Sequence, residues 1–251
     1  MRMKKVSVII PYYKNLKYID QSIISVMKQN YKNIEILIIY DDSNKDELKI
    51  LKKKYKKKNK ISIIENKNNL GAALSRNKGI KKSKGYYIAF LDSDDYWKKN
   101  KLKKQISFME KNNLDLSYTS YEILKKKKKF RQNVKKSYGY YELLNKCDFG
   151  LSTVIANYQV FNKGKFPNLS TQEDYALWLR YTRKGLKIMG LNQALTVWRD
   201  TPKSLSSNTI QKLTDSFKVY YKFENKNFFE ALYRVLILSI NKLKKIKRNY
   251  I

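Results

Sequence analysis

The run Val6-Ser-Val-Ile-Ile-Pro11 is rich in β-branched residues and is stopped by a proline. A short apolar run of this composition predicts a strand that is buried on both faces, as in a parallel sheet, and that ends at Pro11. Apolar residues then recur near helical spacing from Leu16 to Gln29, and a second apolar run covers Ile34 to Tyr40. The order strand, helix, strand predicts a β-α-β unit at the start of the chain.

The same alternation continues and sets the fold class. The pattern predicts a helix, a strand, a helix and a strand over residues 46–57, 61–64, 72–82 and 86–91. We therefore expect an α/β fold, with a doubly wound, mainly parallel sheet, helices on both faces and right-handed crossovers. The pattern is less regular beyond Asp95, and the elements predicted there are helices at 101–111, 140–145, 175–184 and within 210–246, strands at 116–121 and 195–199, and a charged hairpin or loop through Lys129.

The composition is strongly basic. The chain has 251 residues, of which 55 are Lys or Arg and 21 are Asp or Glu, so its formal net charge is +34. Such a field attracts polyanions whatever the fold, and a polyanion-binding protein driven by charge alone is the non-enzymatic alternative. The lysines are spread through almost every segment rather than gathered in one stripe, so we expect no specific nucleic-acid partner.

Several function classes are excluded by the residue types. Cys147 is the only cysteine and there is no histidine, which excludes a disulfide framework, a Cys/His zinc site and a histidine-based catalytic pair. Any metal must therefore be bound by oxygen ligands. No segment reaches the roughly 18 apolar residues of a spanning helix, and the first apolar run is too short for a signal peptide, so we expect a cytoplasmic protein.

Three groups of carboxylates lie at the ends of predicted elements. They are Asp41-Asp42, Asp92-Ser93-Asp94-Asp95 and Glu173-Asp174. Open α/β sheets bind ligands in the crevice beyond the carboxyl ends of their strands. Asp92 and Asp94 are two residues apart, so in an extended segment both can face one cation, and oxygen ligands suit Mg²⁺ or Mn²⁺ together with diphosphate oxygens.

Each motif also has a structural alternative. Asp42 suits a turn after a strand, and Asp95 suits a helix cap. Asp174 suits the first turn of the helix predicted near Tyr175, where the helix dipole favours an acid and Thr171 would be the N-cap.

The order of the motifs resembles the family 2 glycosyltransferases, closely over about the first 110 residues and more loosely from Ser170 to Asn208. The matching segments are Val6–Tyr13, Ser22–Val26, Gln29–Tyr31, Asp41–Ser43, Asn69–Gly71, Ser75–Ile80, Gly85–Asp95 and Glu173–Tyr175. The resemblance implies a GT-A fold and inversion at the anomeric carbon. It also implies a nucleotide-sugar-binding half (1–110) and an acceptor-binding half with the catalytic base (111–208). The sequence pattern predicts basic amphipathic helices after them (209–251).

The resemblance assigns roles to individual residues. Asp174 matches the catalytic base, and Asp92 and Asp94 match the metal ligands, with Asp94 the more direct one. The nucleotide-binding positions are Pro11, Tyr13, Asp42, Arg76 and Ser93. Arg76 would meet ribose or diphosphate oxygens, and its alternative is a surface helix arginine. Weaker matches on the acceptor side are Glu173, Trp198, Arg199 and Ser204-Leu-Ser206. Core packing is the favoured role of Trp178 and Trp198, with stacking on sugar faces as the alternative.

The reaction implied is sugar transfer from a nucleotide diphosphate donor, with UDP expected from the resemblance, to a saccharide or lipid-linked acceptor. Mn²⁺ or Mg²⁺ is the expected cofactor, and capsule, lipooligosaccharide or another surface glycan the expected product. The chain lacks the Gln-x-x-Arg-Trp motif of processive synthases, which favours adding one sugar or a few. A nucleotidyltransferase is the enzymatic alternative, but Pro11-Tyr-Tyr-Lys-Asn15 lacks its glycine-rich loop.

The last segment of the chain is both apolar and basic. Phe228 to Ile240 is apolar on most of its circumference, with Glu230 and Arg234 as its only charges, and it is too short to span a bilayer. Five basic residues follow, namely Lys242, Lys244, Lys245, Lys247 and Arg248. The combination predicts an interfacial anchor on the inner face of the cytoplasmic membrane. Packing on the protein's own core or on a second subunit is the alternative.

Overall fold

Strands and helices alternate through the first half of the chain, as the sequence predicts. The structure is a computed structural model that describes residues 3–201 and 208–250. Its first elements are β1 (Val6–Tyr12), α1 (Leu16–Met27), β2 (Ile34–Tyr40), α2 (Lys45–Tyr55), β3 (Ile61–Glu65), α3 (Gly71–Lys82), β4 (Tyr87–Phe90), β5 (Tyr96–Trp97) and α4 (Lys101–Lys111).

The second half contributes further strands and the C-terminal helices. In chain order they are β6 (Leu116–Lys125), β7 (Lys128–Gln132), β8 (Ser137–Tyr138), α5 (Tyr140–Leu143), β9 (Ile155–Asn157), α6 (Glu173–Arg183), β10 (Ile188–Arg199), α7 (Thr209–Lys218) and α8 (Phe228–Tyr250). Short 3₁₀ turns cover Leu151–Thr153 and Tyr158–Lys163, and a π-helical turn covers Val219–Phe223.

All ten of these strands belong to one sheet, in the order β3-β2-β1-β4-β9-β6-β10-β5, with β7 beside β6 and β8 beside β10. β3, β2, β1 and β4 are mutually parallel, and β10 is parallel to β6. β9 runs antiparallel between β4 and β6 and joins the two halves of the chain into one sheet. The predicted α/β class with a mainly parallel central sheet is confirmed.

Helices cover both faces of the sheet, because side chains of each strand alternate between two apolar cores. Val6, Val8 and Ile10 of β1 pack with buried residues of α1, α2 and α4 on one face. Ile9 faces the other core, which includes buried residues of α3 and α6. The parallel strands are therefore buried on both sides, which is why they read as continuous apolar runs in the sequence.

The bounds of β1 and β10 differ from the sequence prediction, and short strands were not predicted. β1 continues through Pro11, which pairs with Ile39. β4 pairs with β1 only as far as Ile9, so Pro11 occupies an edge position that tolerates a missing N–H. β10 begins at Ile188 rather than at 195, because its pairing with β6 is interrupted by register shifts between Leu191 and Thr196 that hide the strand pattern. β5, β8 and β9 were not predicted, since they have only two, two and three residues.

The charged segment that ends at Lys129 is a hairpin rather than a loop. β6 extends to Lys125 and pairs antiparallel with β7. Lys126 and Lys127 connect the two strands with φ values of 44° and 68°, which are the left-handed conformations of a tight hairpin turn.

Lys101 is a fully buried lysine at the start of α4. Its ammonium donates to Gln105 Oε1 at 2.9 Å and lies 4.2 Å from the centroid of the Trp97 ring. Burial lowers the pKa of Lys101 well below its usual value, since the charged form loses its hydration.

Replacing Lys101 with Met should therefore stabilise the protein at neutral pH. The unfolded lysine is protonated below about pH 10.4, so folding at pH 7 must either remove that proton or bury the charge. Methionine keeps the apolar stem and avoids this cost. We expect the free energy of unfolding to increase by about 1 kcal/mol, which raises the melting temperature by about 2–4 °C. The gain should shrink as the pH approaches about 10.4, because the unfolded lysine then loses its proton as well.

The matched control is Lys103→Met, which changes an exposed lysine of the same helix and should have little effect. Calorimetric melting of both variants at several pH values checks this prediction. An unchanged or lower melting temperature for Lys101→Met would contradict it.

Candidate active site

The predicted site residues come together at the carboxyl ends of β1, β2 and β4. The backbone N–H of Lys14, after β1, donates to Asp42 Oδ2, after β2, at 3.0 Å. Arg76 of α3 forms ion pairs with Asp92, after β4, and with Glu173 at the start of α6. These contacts bring all three predicted carboxylate groups to one edge of the sheet, where open α/β sheets have their ligand-binding crevice.

Asp41 is a structural residue in this crevice. Its buried carboxylate accepts hydrogen bonds from Asn66 Nδ2 at 2.7 Å and from the backbone N–H groups of Leu70 and Gly71 at 2.7 and 2.8 Å. Gly71 has a φ of +80°, a conformation that favours glycine, and it opens α3. Asp41 thus fixes the turn that positions the helix carrying Arg76.

Asp42 lies beside the end of β1 and the loop after it, which carry the predicted nucleotide-binding residues Pro11 and Tyr13. Its carboxylate also accepts a hydrogen bond from the N–H of Asn44 at 3.1 Å, so it connects the loops after β1 and β2. Tyr13 is 49% exposed on the same loop, and Pro11 is partly exposed before it. The structure thus brings Pro11, Tyr13 and Asp42 to one edge of the crevice, where contact with a nucleotide stays a prediction.

The loop from Asp92 to Asp95 is held by its neighbours on both sides. Asn15 Nδ2 donates to Ser93 Oγ at 2.8 Å, and Ser22 Oγ donates to the carbonyl of Ser93 at 2.9 Å. Asp95 is buried, and its Oδ1 accepts from the N–H of Arg199 at 2.9 Å. The alternative role of Asp95 as a helix cap is wrong, because Asn100 precedes α4 as its N-cap.

Asp92 and Asp94 suit a cation that is shared with a bound ligand. Burial raises the pKa of Asp94 to about 6, with a further contribution from the nearby Asp92 charge. Two carboxylates that disfavour each other's ionised form gain when a cation binds between them. The part of the chain that the structure describes has no group of three metal-binding side chains. A cation here would therefore need ligand oxygens or water in addition to the two aspartates.

Arg76 connects this loop to α6. Its guanidinium is only 5% exposed, donates from Nη2 to Asp92 Oδ1 at 2.7 Å and from Nη1 to Glu173 Oε1. Burial alone lowers the pKa of Arg76, but the Asp92 and Glu173 carboxylates outweigh it and raise the pKa. Arg76 is therefore not a surface arginine. Its predicted contact with a ligand stays a prediction, and what the structure supports directly is that it positions two acidic groups.

Asp174 lies in the first turn of α6, which begins at Glu173 rather than near Tyr175. Its Oδ1 accepts from the N–H of Tyr175 at 2.7 Å. Burial and, to a smaller extent, the Glu173 charge raise the pKa of Asp174 to about 7, although the Arg76 charge opposes them. A carboxylate with a pKa near the working pH suits a general base.

The structural alternative for Asp174 predicted Thr171 as the N-cap of α6, and this prediction is wrong. Gln172 occupies that position with a φ of 63°. The backbone N–H and Oγ1 of Thr171 donate instead to Asp215 Oδ2 of α7, at 3.0 and 3.1 Å. Asp215 was not predicted as a functional residue, because no sequence pattern near it indicates that its carboxylate binds a segment 44 residues away.

The remaining predicted residues divide between core and crevice. Trp178 is fully buried among aromatic rings, which confirms core packing and excludes the alternative of stacking on a sugar. Trp198 is partly exposed on β10. Arg199 lies 4.4 Å from the centroid of the Tyr18 ring and donates from Nε to the carbonyl of Asp94 at 3.0 Å. The Ser204-Leu-Ser206 match lies outside the described residues.

Comparison with known proteins identifies the class. Residues 7–169 match the family described as Glycosyl transferase family 2. The chain is 33% identical over 244 residues to the putative teichuronic acid biosynthesis glycosyltransferase TuaG of Bacillus subtilis (strain 168), covering 96% of both chains. It is 39% identical over 214 residues to an Escherichia coli enzyme, covering 84% of this chain and 83% of that one. That enzyme is named UDP-Glc:alpha-D-GlcNAc-diphosphoundecaprenol beta-1,3-glucosyltransferase WfaP.

Solved structures agree on the fold. TarS 1–349 of S. aureus in complex with UDP-GlcNAc superposes with a TM-score of 0.74 at 21% identity, covering 92% of this chain and 71% of that one. The mannosyltransferase PcManGT of Pyrobaculum calidifontis, in complex with GDP-Man and Mn²⁺, gives 0.72 at 12% identity, covering 93% and 70%. The protein is thus a glycosyltransferase with a GT-A fold. It belongs to glycosyltransferase family 2.

Proposed function

We propose that this glycosyltransferase moves a sugar, with inversion, from a UDP-sugar to a hydroxyl of a lipid-linked saccharide during synthesis of a surface glycan. The observation that carries the proposal is the double ion pair of Arg76, which connects the candidate metal loop at Asp92 to the candidate base at Glu173-Asp174. A donor diphosphate at the loop and an acceptor hydroxyl at Asp174 would then lie close together, on either side of the Arg76 side chain. The activity for which the E. coli relative is named supports the choice of UDP and of a lipid-linked acceptor.

The chain's own residues would divide the work of donor binding. Asp42 and the loop at Tyr13 would contact the base and ribose, and Asp92 and Asp94 would hold Mn²⁺ or Mg²⁺ with the donor diphosphate. The cation, when bound, offsets the negative charge that collects on the leaving diphosphate. Arg199 and Ser22 hold the backbone of the Asp94 and Ser93 loop, so the carboxylates are positioned before the donor arrives.

Asp174 would act on the acceptor. Its carboxylate takes the proton of the acceptor hydroxyl as that oxygen bonds to the anomeric carbon. The bond from that carbon to the diphosphate oxygen breaks on the opposite side, and its electron pair leaves with UDP. Attack opposite the leaving group inverts the anomeric configuration. No covalent sugar-enzyme intermediate is required, so one carboxylate is sufficient.

A screen of nucleotide sugars by thermal unfolding tests the donor. With Mn²⁺ present, a UDP-sugar at 100 times its Kd should stabilise the protein by about 2.7 kcal/mol, and EDTA should remove most of the effect. Transfer should then be faster to a polyprenol-diphosphate-linked saccharide than to the free saccharide. Stabilisation by random DNA at low salt, with none by any nucleotide sugar, would favour the polyanion-binding alternative.

A further inference from the structure

α8 exposes an apolar face along most of its described length. Phe229 is 80% exposed, and the other side chains of this face are each between 42% and 62% exposed, namely Leu232, Tyr233, Leu236, Ile240 and Leu243. They follow the three- and four-residue spacing of one helix side. A helix on a protein surface normally turns charged residues to water on this side.

α7 and the turn after it extend the same surface. Ile210 and Leu213 of α7 are exposed, and the rings of Phe217 and Tyr221 stack with centroids 5.5 Å apart. Phe217 also contacts Phe228 of α8, at 5.5 Å between centroids. We call this continuous surface the α7–α8 face. A contiguous apolar patch of this kind indicates an interaction site.

The opposite side of α8 is firmly attached to the protein. Ala231 is fully buried, and Val235 and Leu238 pack against the core. Arg234 Nη1 donates to Asn145 Oδ1 and Asn241 Nδ2 donates to the Asn145 carbonyl, both at 2.9 Å. The inward side of α8 therefore packs on the protein's own core, as the alternative to an interfacial anchor predicted. The outward α7–α8 face still lacks a partner in the described chain.

Charge around the α7–α8 face is positive. The acids of residues 209–244 are Asp215, Glu224 and Glu230, and each is paired with a basic side chain. Lys222 and Lys244 are exposed and follow Tyr221 and Leu243 of the face directly in the chain, and β7, with exposed Lys128, packs next to α8. A second copy of the chain would bring the same positive charge to the contact, so like charges oppose self-association here, whereas an anionic partner is attracted.

We propose that the α7–α8 face docks on the surface of a bilayer that contains anionic lipid. Aromatic and aliphatic side chains would enter the interfacial region while the basic residues meet the headgroups. Among the described residues, no helix combines the length and the hydrophobicity needed to cross a bilayer, so α8 would lie along the surface.

Docking would also place the candidate active site near the lipid. Asp215 of α7 holds Thr171, three residues before Asp174, by two hydrogen bonds. Gln172 Nε2 donates to Ser216 Oγ of the same helix at 2.9 Å. The helix that carries part of the α7–α8 face therefore fixes the entry to α6. This step rests on the proposed function, whereas docking itself does not.

Co-sedimentation of the full chain with vesicles tests the proposal. At about 0.15 M salt, the protein should sediment with vesicles of phosphatidylcholine that contain phosphatidylglycerol and much less with pure phosphatidylcholine. Phe229→Ser/Leu236→Ser should lower the partition constant by at least about tenfold, because both apolar side chains lose their burial. Ile24→Ser/Ile50→Ser, which changes two exposed apolar residues of α1 and α2, is the matched control and should sediment normally.

Two double charge substitutions distinguish the effect of charge beside the α7–α8 face from the effect of the protein's net charge. Lys222→Glu/Lys244→Glu should weaken binding to the anionic vesicles, and Lys53→Glu/Lys57→Glu, with the same change in net charge on and just after α2, should do so much less. Equal loss for both pairs, or equal sedimentation of the Phe229→Ser/Leu236→Ser variant, overturns the proposal. The proposal is also overturned if the parent protein forms a dimer in vesicle-free solution and Phe229→Ser/Leu236→Ser abolishes that dimer. A cooperative thermal unfolding transition like that of the parent protein verifies the folding of each variant independently of both the lipid result and the proposed function.

Discussion

Asp174→Asn should lower kcat by about 10² to 10⁴-fold, the usual range for removing a general base. Asparagine keeps the shape of the side chain and can still accept the hydrogen bond from the Tyr175 N–H. It cannot take a proton from the acceptor hydroxyl. Donor affinity, measured by calorimetry, should be nearly unchanged, because Asp174 is proposed to act on the acceptor only.

The pH dependence should identify the same group. Burial raises the pKa of Asp174 to about 7, so kcat of the parent protein should rise as the pH increases through about 7. Because this folded-state pKa lies above the unfolded value of about 3.9, the charged carboxylate costs stability above pH 7. Asp174→Asn should therefore be at least as stable as the parent at pH 8.

A matched control separates catalysis from helix stabilisation. Asp46 is the second residue of α2, as Asp174 is the second residue of α6, and it lies in an exposed first turn. Asp46→Asn should leave kcat unchanged and cost a few tenths of a kcal/mol, typical of an acid near a helix N-terminus. If Asp174→Asn behaves in the same way, with turnover within a few-fold of the parent, Asp174 has only a structural role.

Asp94→Asn should remove the part of the nucleotide affinity that depends on the cation. The affinity should fall by more than the roughly 10- to 100-fold that is typical when a residue hydrogen-bonded to a metal ligand is changed, because here a charged ligand itself is removed. Since the pKa of Asp94 is raised to about 6, protons should compete with Mn²⁺. The affinity of the parent protein should therefore fall as the pH decreases through about 6.

Calorimetry of UDP binding with Mn²⁺ and with EDTA measures this effect. Asp115→Asn changes an exposed aspartate immediately before β6; it is the control and should bind as the parent does. A folded Asp94→Asn protein with parental affinity in Mn²⁺ would falsify the metal assignment.

The first 111 residues were predictable because their pattern reflects a single physical cause. Parallel strands buried on both faces require continuous apolar runs such as Ile34–Tyr40, and the crossover helices require an apolar stripe. The same reasoning failed for β10, whose register shifts break the alternation near Asn192 and Gln193. It also failed for β9, whose Ile155–Asn157 is too short for periodicity to appear.

The site was predictable only as separate motifs. Spacing indicated that Asp92 and Asp94 share a target, and the order of motifs indicated Asp174. The connection between them depends on Arg76, whose partner Glu173 is 97 residues away in the chain. A contact of that range depends on how α6 meets α3. No local pattern encodes it, and for the same reason the structural roles of Asp41 and Asp215 were not predicted.

The antiparallel strand β9 has a consequence for synthesis of the protein. β4 pairs with β1 on one side and with Ile155–Asn157 on the other. While the ribosome is still making the intervening residues, the nascent chain has an apolar strand at Tyr87–Phe90 with one row of backbone groups unpaired. Open edges of this kind recruit other chains. A polypeptide interrupted before Ile155 is therefore prone to aggregate, and the N-terminal half alone is a poor choice for a minimal nucleotide-binding fragment.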